Sequence, residues 1–364
     1  MLPAPKPGGP SLADVLKSGA DAIAGRPNRL GLPRVDTAII VLVDGLGADA
    51  LRSRSGHART MSGMLGPKSI IESGFPTTTA AAIASLTTGV APGQHGIVGY
   101  TALDTANDRV VNQLSGWDDR IDPLAWQLEP TIFEAVAEGA AAIAIGPSRF
   151  DGSGFSQAVL RGARYVSAES IDDRMLAAAE LARQPGPPAL IYVYVPELDM
   201  ASHAHGTESH QWTHALEVTD RAIRELAESL SPQHGMLVTA DHGALDVPRH
   251  QHRLYDMLPG LLDGVRFVAG DPRCLQIHFE PDAPAEHRSR VTELWRASES
   301  QLSWVATRDE AVAAGWFGGV RAEVMPRIGD LIVAARKNIA YYNGQTATDH
   351  ARAMVGQHGS WSPA

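Results

Sequence analysis

The chain has 364 residues, with 31 Lys and Arg against 41 Asp and Glu, a formal net charge of −10. That length suits one large α/β domain or two ordinary ones, and 44% hydrophobic with 20% charged residues excludes wholesale disorder. The acidic balance argues against a nucleic-acid polymer as partner, the lone Cys274 excludes an internal disulfide or thiolate cluster, and no apolar run reaches the ~18–20 residues of a membrane span.

The first 34 residues are rich in Pro and Gly and lack the basic-then-apolar order of a secretory signal, so a cytoplasmic protein is expected. They carry one short helical pattern, residues 12–23, and form an extension (1–34) ahead of a domain over 35–364. Residues 37–43 are an unbroken apolar run, which predicts a strand buried on both faces of a parallel sheet. Residues 141–145, 189–195 and 235–240 repeat that pattern. Between them lie helical patterns at 130–138, at 170–183 with Ser170 as N-cap, and at 208–230. Strand–helix alternation of this kind predicts an α/β fold, a doubly wound and mostly parallel sheet with helices on both faces. The rhythm breaks over about 250–330, where strands at 266–268 and 274–279 and helices at 288–298 and 309–314 predict a small inserted α+β cap; residues 331–335 are expected to resume the core sheet.

Three of the apolar runs end in ionisable residues. Asp44 follows the first, Glu197 and Asp199 the third, and Asp241-His242-Gly243 the fourth. Open α/β sheets bind ligands beyond the carboxyl ends of their strands, so acids and a histidine are delivered to one rim. Any one such Asp is commonly a helix N-cap; three on one rim are harder to explain that way. Asp199 and His203 stand four residues apart, on one face of a helical turn, as two metal ligands need. His210 and His214 share that spacing but fit ordinary solvated residues, and His205, His250 and His252 fit loop histidines. His358 lies in Gly356-Gln-His358-Gly359, where small neighbours permit close approach.

Phe75-Pro-Thr-Thr-Thr79 precedes an Ala-rich helical stretch. One threonine could simply cap it. A helix N-terminus also offers free N–H groups to a phosphate, and a threonine hydroxyl there needs a metal or base to become a nucleophile. A competing pattern, Gly45-x-Gly47-x-x-Ala50 after a strand, matches a dinucleotide-binding fingerprint. It lacks a good crossover helix and a strand-terminal acid at the expected offset, and it leaves the later acids and histidines without a role.

Asp44-Gly45, Phe75-Pro-Thr-Thr-Thr79, Thr88-Gly89-x-x-Pro92-x-x-His95-Gly96, Asp199-x-x-x-His203-x-x-Gly206, Asp241-His242-Gly243 and Gly356-Gln-His358-Gly359 stand in one order along the chain. Together they resemble the nucleotide pyrophosphatase/phosphodiesterase family of the alkaline phosphatase superfamily. The resemblance implies an alkaline-phosphatase-like catalytic domain over 35–364 and two divalent ions, zinc or alternatively manganese. Asp199, His203 and His358 would hold one ion; Asp44, Asp241 and His242 would hold the other, with Thr79 bridging to it as nucleophile. It further implies hydrolysis of phosphodiester or pyrophosphate bonds in small nucleotide-like esters through a phosphothreonine intermediate. Tyr100 occupies the place where family members commonly carry an Asn that contacts a phosphate oxygen, so diester preference is less secure. Phe75, Tyr100 and Trp117 are candidates to bind substrate by stacking on a base, with core packing as the alternative. A phosphonate hydrolase, a phosphomonoesterase or a non-catalytic metal-binding module are the other readings; the absence of Arg and Lys from the motifs favours diesters over dianionic monoesters.

Overall fold

The computed structural model describes residues 2–6, 8–66 and 68–361. Five parallel strands, β1 (Thr37–Val43), β2 (Ala141–Gly146), β3 (Arg164–Ser167), β4 (Ala189–Val195) and β5 (His234–Thr239), form the central sheet in the order β3-β2-β4-β1-β5. All seven residues of β1 are buried because it is central and covered on both faces. Ile39, Val41 and Val43 pack into one cluster with residues of helices Ile171–Arg183 and His210–Ser229. Ala38, Ile40 and Leu42 point the other way, toward helices Ala13–Ile23 and Thr79–Thr88. Strand periodicity thus places helices on both faces, as a doubly wound sheet requires.

Local chemistry sets the helix ends. Ser170 caps Ile171–Arg183 in a reciprocal capping box with Asp173, and Ser209 caps His210–Ser229 through the Trp212 amide. The N-terminal helix is not an appendage: Leu12, Val15 and Leu16 are almost wholly buried in the second cluster, so residues 12–23 belong to the core.

Four antiparallel strands, β6 (Val265–Asp271), β7 (Cys274–Phe279), β8 (Ser303–Thr307) and β9 (Leu331–Ala335), make a second sheet in the order β6-β7-β9-β8. This corrects the expectation for residues 331–335, which pair with β7 and β8 rather than with the central sheet. Leu331, Val333 and Ala335 face one apolar cluster and Ile332 and Ala334 another, so β9 is as apolar as a central parallel strand. The second sheet therefore runs to residue 335, and Ala340–Tyr342 pairs with His252–Leu254. Among the described residues, no helix is long and apolar enough to cross a membrane.

Candidate active site

The carboxyl ends of β1, β4 and β5 are adjacent, and each leads directly into the polar rim. Asp44 follows β1, helix Glu197–His205 with Asp199 and His203 follows β4, and Asp241-His242 follows β5. Helix Thr79–Thr88 presents Thr79 from its first turn. His358, 279 positions after Thr79 in the chain, reaches the site because Gly356–Gln357 pairs with Leu245–Asp246, just beyond His242. Gly45 has a positive φ of 74°, and a Cβ there would stand 3.0 Å from that of Asp199. The glycine after Asp44 thus lets the Asp199 helix approach β1, which accounts for it without a dinucleotide.

The structure brings Asp44, Thr79, Asp199, His203, Asp241, His242 and His358 together. Asp44, Asp241 and His242 offer ligand atoms all within 4.8 Å of one another, and so do Asp199, His242 and His358. His203 Nε2 lies 3.0 Å from Asp199 Oδ2, and its ring centroid is 5.2 Å from that of His358. Thr79 Oγ1 is 3.0 Å from His242 Nε2.

The hydrogen bonds sort the ligand atoms. Each imidazole uses Nδ1 on a backbone carbonyl: His203 on Gly356 at 2.8 Å, His242 on Gly243 at 3.1 Å, His358 on Thr77 at 3.1 Å. An Nδ1–H donor leaves Nε2 as the lone-pair atom, the arrangement by which proteins orient metal-binding histidines. Each carboxylate likewise has one oxygen engaged and one free. Tyr194 donates its hydroxyl to Asp44 Oδ2 at 2.5 Å, and the Gly45 and His242 amides donate to Asp241 Oδ1 at 3.1 and 3.0 Å. Asp44 Oδ1, Asp241 Oδ2 and Asp199 Oδ1 are buried without a hydrogen-bond partner. Orphaned buried oxygens are costly, and a divalent cation satisfies them. The oxygen-and-imidazole donor set without thiolate suits zinc or manganese.

Proton affinities follow the same strain. Burial pushes the Asp44 carboxyl well above the usual carboxylate range, the charges of Asp241 and Asp199 add to this, and the Tyr194 hydroxyl opposes it. Burial would raise Asp199 too, but the His203 hydrogen bond and charge, with His358 and His242, hold it below the usual range. Burial drives His358 well below an ordinary imidazole, reinforced by His242. For His203, burial pulls down while the Asp199 contact pulls up more strongly, leaving it raised. None of the hydrogen bonds or ion pairs of these seven residues just given involves an Arg or Lys.

The expected aromatic contacts divide. Tyr100 has 37% of its surface exposed. Phe75 does not fit a base-stacking role: it is 1% exposed, with ring centroids 4.7 Å from Trp316 and 5.5 Å from both Phe317 and Trp361. Its faces and edges are covered by other rings, and it packs in one apolar cluster with residues of the second sheet. Phe75→Ala is expected to destabilise the fold by about 3–5 kcal/mol, read as a lower urea midpoint at unchanged slope. Trp117 is partly buried. Its indole N–H donates to the Gln113 carbonyl at 3.0 Å, it packs on the second central cluster, and a Cβ on Gly154 would come within 2.3 Å of it. His210, His214, His205 and His250 are exposed, in keeping with ordinary surface residues. His95 is a buried neutral imidazole, pushed down to about 3 by burial and Arg327, that bonds Ser85 at 3.0 Å and accepts the Ile97 amide at 3.1 Å. It shapes the loop leading to Tyr100.

Sequence reasoning missed Asp271, at the end of β6. Burial pushes its carboxyl up to about 7, opposed by the Tyr100 amide, the charge of His203 and the Thr78 hydroxyl. Before Pro272, at a hairpin in the insertion, it resembles any turn aspartate.

The model of the family described as type I phosphodiesterase / nucleotide pyrophosphatase matches residues 38–361. No curated protein sequence matches the chain. Among solved structures, murine ectonucleotide pyrophosphatase/phosphodiesterase 5, in an inactive form in complex with AMP, is 16% identical with a TM-score of 0.67, over 89% of this chain and 83% of that one. The human protein of the same name is 15% identical with a TM-score of 0.66, over 89% of this chain and 83% of that one. Phosphonoacetate hydrolase from Sinorhizobium meliloti, in complex with phosphonoformate, is 19% identical with a TM-score of 0.67, over 91% of this chain and 89% of that one. These likenesses show the fold.

Proposed function

Since the chain belongs to the type I phosphodiesterase/nucleotide pyrophosphatase family, whose members are metal-dependent phosphoester hydrolases, we propose that it cleaves phosphodiester or pyrophosphate bonds of small nucleotide-like substrates, with Thr79 as nucleophile. The observation that carries this reading is the Thr79 hydroxyl at a helix N-terminus, 3.0 Å from His242 Nε2, beside three carboxylates with orphaned oxygens.

Asp199, His203 and His358 would hold one divalent ion, and Asp44, Asp241 and His242 the other. When bound, such ions lower the proton affinity of a hydroxyl and stabilise the attacking and leaving oxygens of an in-line displacement. The chain supplies the rest. Tyr194 orients Asp44, the Gly45 and His242 amides orient Asp241, and backbone carbonyls orient the three imidazoles. The first turn of helix Thr79–Thr88 directs free N–H groups at the phosphoryl oxygens. Thr79 Oγ1 forms a bond to phosphorus as the bond to the leaving alcohol or nucleotide oxygen breaks. Water then cleaves the phosphothreonine and restores the hydroxyl. Tyr100, with its exposed ring, is proposed to contact the substrate.

The absence of Arg and Lys from the hydrogen bonds and ion pairs of these seven residues supports a monoanionic diester, because a dianionic monoester gains more from cationic side chains. With zinc added, turnover of an activated diester should exceed that of the corresponding monoester and of phosphonoacetate. A monoester or phosphonoacetate preference would reassign the substrate class, and loss of all three activities would favour a non-catalytic metal-binding module.

A further inference from the structure

We infer that Asp271, the last residue of the cap strand β6, is a positioning residue that holds Tyr100 in place relative to Thr79 and His358, so that the inserted sheet takes part in substrate recognition. The inference rests on the proposed contact between Tyr100 and substrate for its kinetic consequence, but not for its structural one.

Three segments meet at this one side chain, which is 5% exposed. Its Oδ2 accepts the Tyr100 amide at 3.3 Å. The turn after His358 lies directly against it: Gly359 has a φ of 116°, and a Cβ there would come within 2.7 Å of the Asp271 Cβ. That turn is tied to the nucleophile's own segment, because Gly359 donates its amide to Thr77 Oγ1 at 3.1 Å and His358 Nδ1 bonds the Thr77 carbonyl at 3.1 Å.

Tyr100 is clamped from both sides. On the cap side, Thr101 Oγ1 donates to the Gly270 carbonyl at 2.9 Å and Gln276 Nε2 to the Val98 carbonyl at 2.8 Å. On the other side, the Gln113 amide donates to the Tyr100 carbonyl at 2.7 Å, and Gln113 Nε2 to the Gly99 carbonyl at 2.7 Å. The backbone is fixed while the ring stays exposed, which suits a residue that meets a ligand. A buried carboxyl costs free energy that an apolar side chain of equal volume would not, so its presence at this junction calls for a polar task. Accepting the Tyr100 amide is one such task, beside the Thr78 hydroxyl that also bears on this carboxyl.

The test compares Asp271→Ala with Asp271→Asn, whose carbonyl oxygen still accepts the amide, in the full-length metal-loaded protein. Asp271→Ala is expected to raise KM for an activated diester about tenfold with a much smaller change in kcat, the loss of one buried hydrogen bond; Asp271→Asn should stay near the parent. In a Tyr100→Ala background the alanine effect should largely vanish, since coupled residues are non-additive. Amide hydrogen exchange provides a readout independent of turnover: Tyr100 should lose protection in Asp271→Ala and keep it in Asp271→Asn. Should alanine not fold, Asp271→Leu fills the volume without an acceptor and should give the same exchange result. Unchanged Tyr100 exchange in the alanine or leucine variant, or effects of Asp271 and Tyr100 that multiply independently, would overturn the inference. Lost protection in a protein that turns over no ester would uphold the Asp271–Tyr100 link while rejecting the proposed hydrolysis.

Discussion

Thr79→Ala is expected to lower turnover of an activated phosphodiester by about three orders of magnitude or more, the scale seen when a covalent nucleophile is removed. The fold should persist. Thr79 is the first residue of its helix, the N-cap Thr78 makes no side-chain cap bond, and alanine is the best helix former. What disappears is the one hydroxyl that stands 3.0 Å from His242 Nε2. Thr78 is the competing nucleophile, and its side chain is fully buried. Near-parent turnover in Thr79→Ala, with an unchanged melting temperature, would transfer the role to Thr78 or elsewhere; phosphate trapped on Thr79 after acid quench would keep it where it is.

The second large effect concerns withdrawal of metal. Three buried carboxylates, each with an unpartnered oxygen, crowd beside three imidazoles, and mutual repulsion with burial raises Asp44. A cation that binds only the folded state stabilises it by mass action, about 4 kcal/mol when present at a thousand times its dissociation constant. Exhaustive chelation should therefore abolish turnover and also lower the melting temperature, and zinc should restore both. Chelated protein that melts at the same temperature as the loaded form would mean that these groups do not bind a structural charge.

Much of this was legible in the sequence for a physical reason. A strand buried on both faces must be apolar throughout, so 189–195 and 37–43 declared themselves, and the acids that follow them could only lie on the rim. The same rule misled at 331–335. A strand between two apolar clusters of an antiparallel sheet has the composition of a central parallel one, and nothing local distinguishes them. The edge strand Arg164–Ser167 escaped because none of its residues is fully buried. Phe75 is aromatic and could equally stack on a base or fill the core, and its sequence does not decide between them. Its partners Trp316, Phe317 and Trp361 lie more than 200 residues downstream, and only tertiary structure unites them (316 − 75 = 241). Asp271 failed to register for the opposite reason: its importance comes from contacts with Tyr100 and Gly359, neither near it in sequence.

The most direct test is a crystal soaked in zinc and a nucleoside monophosphate, with anomalous data on both sides of the zinc edge. Two zinc peaks are expected, one bounded by Asp199, His203 and His358 and the other by Asp44, Asp241 and His242, with the phosphorus facing Thr79 Oγ1. A single peak, peaks outside these side chains, or a phosphate bound away from Thr79 would contradict the account.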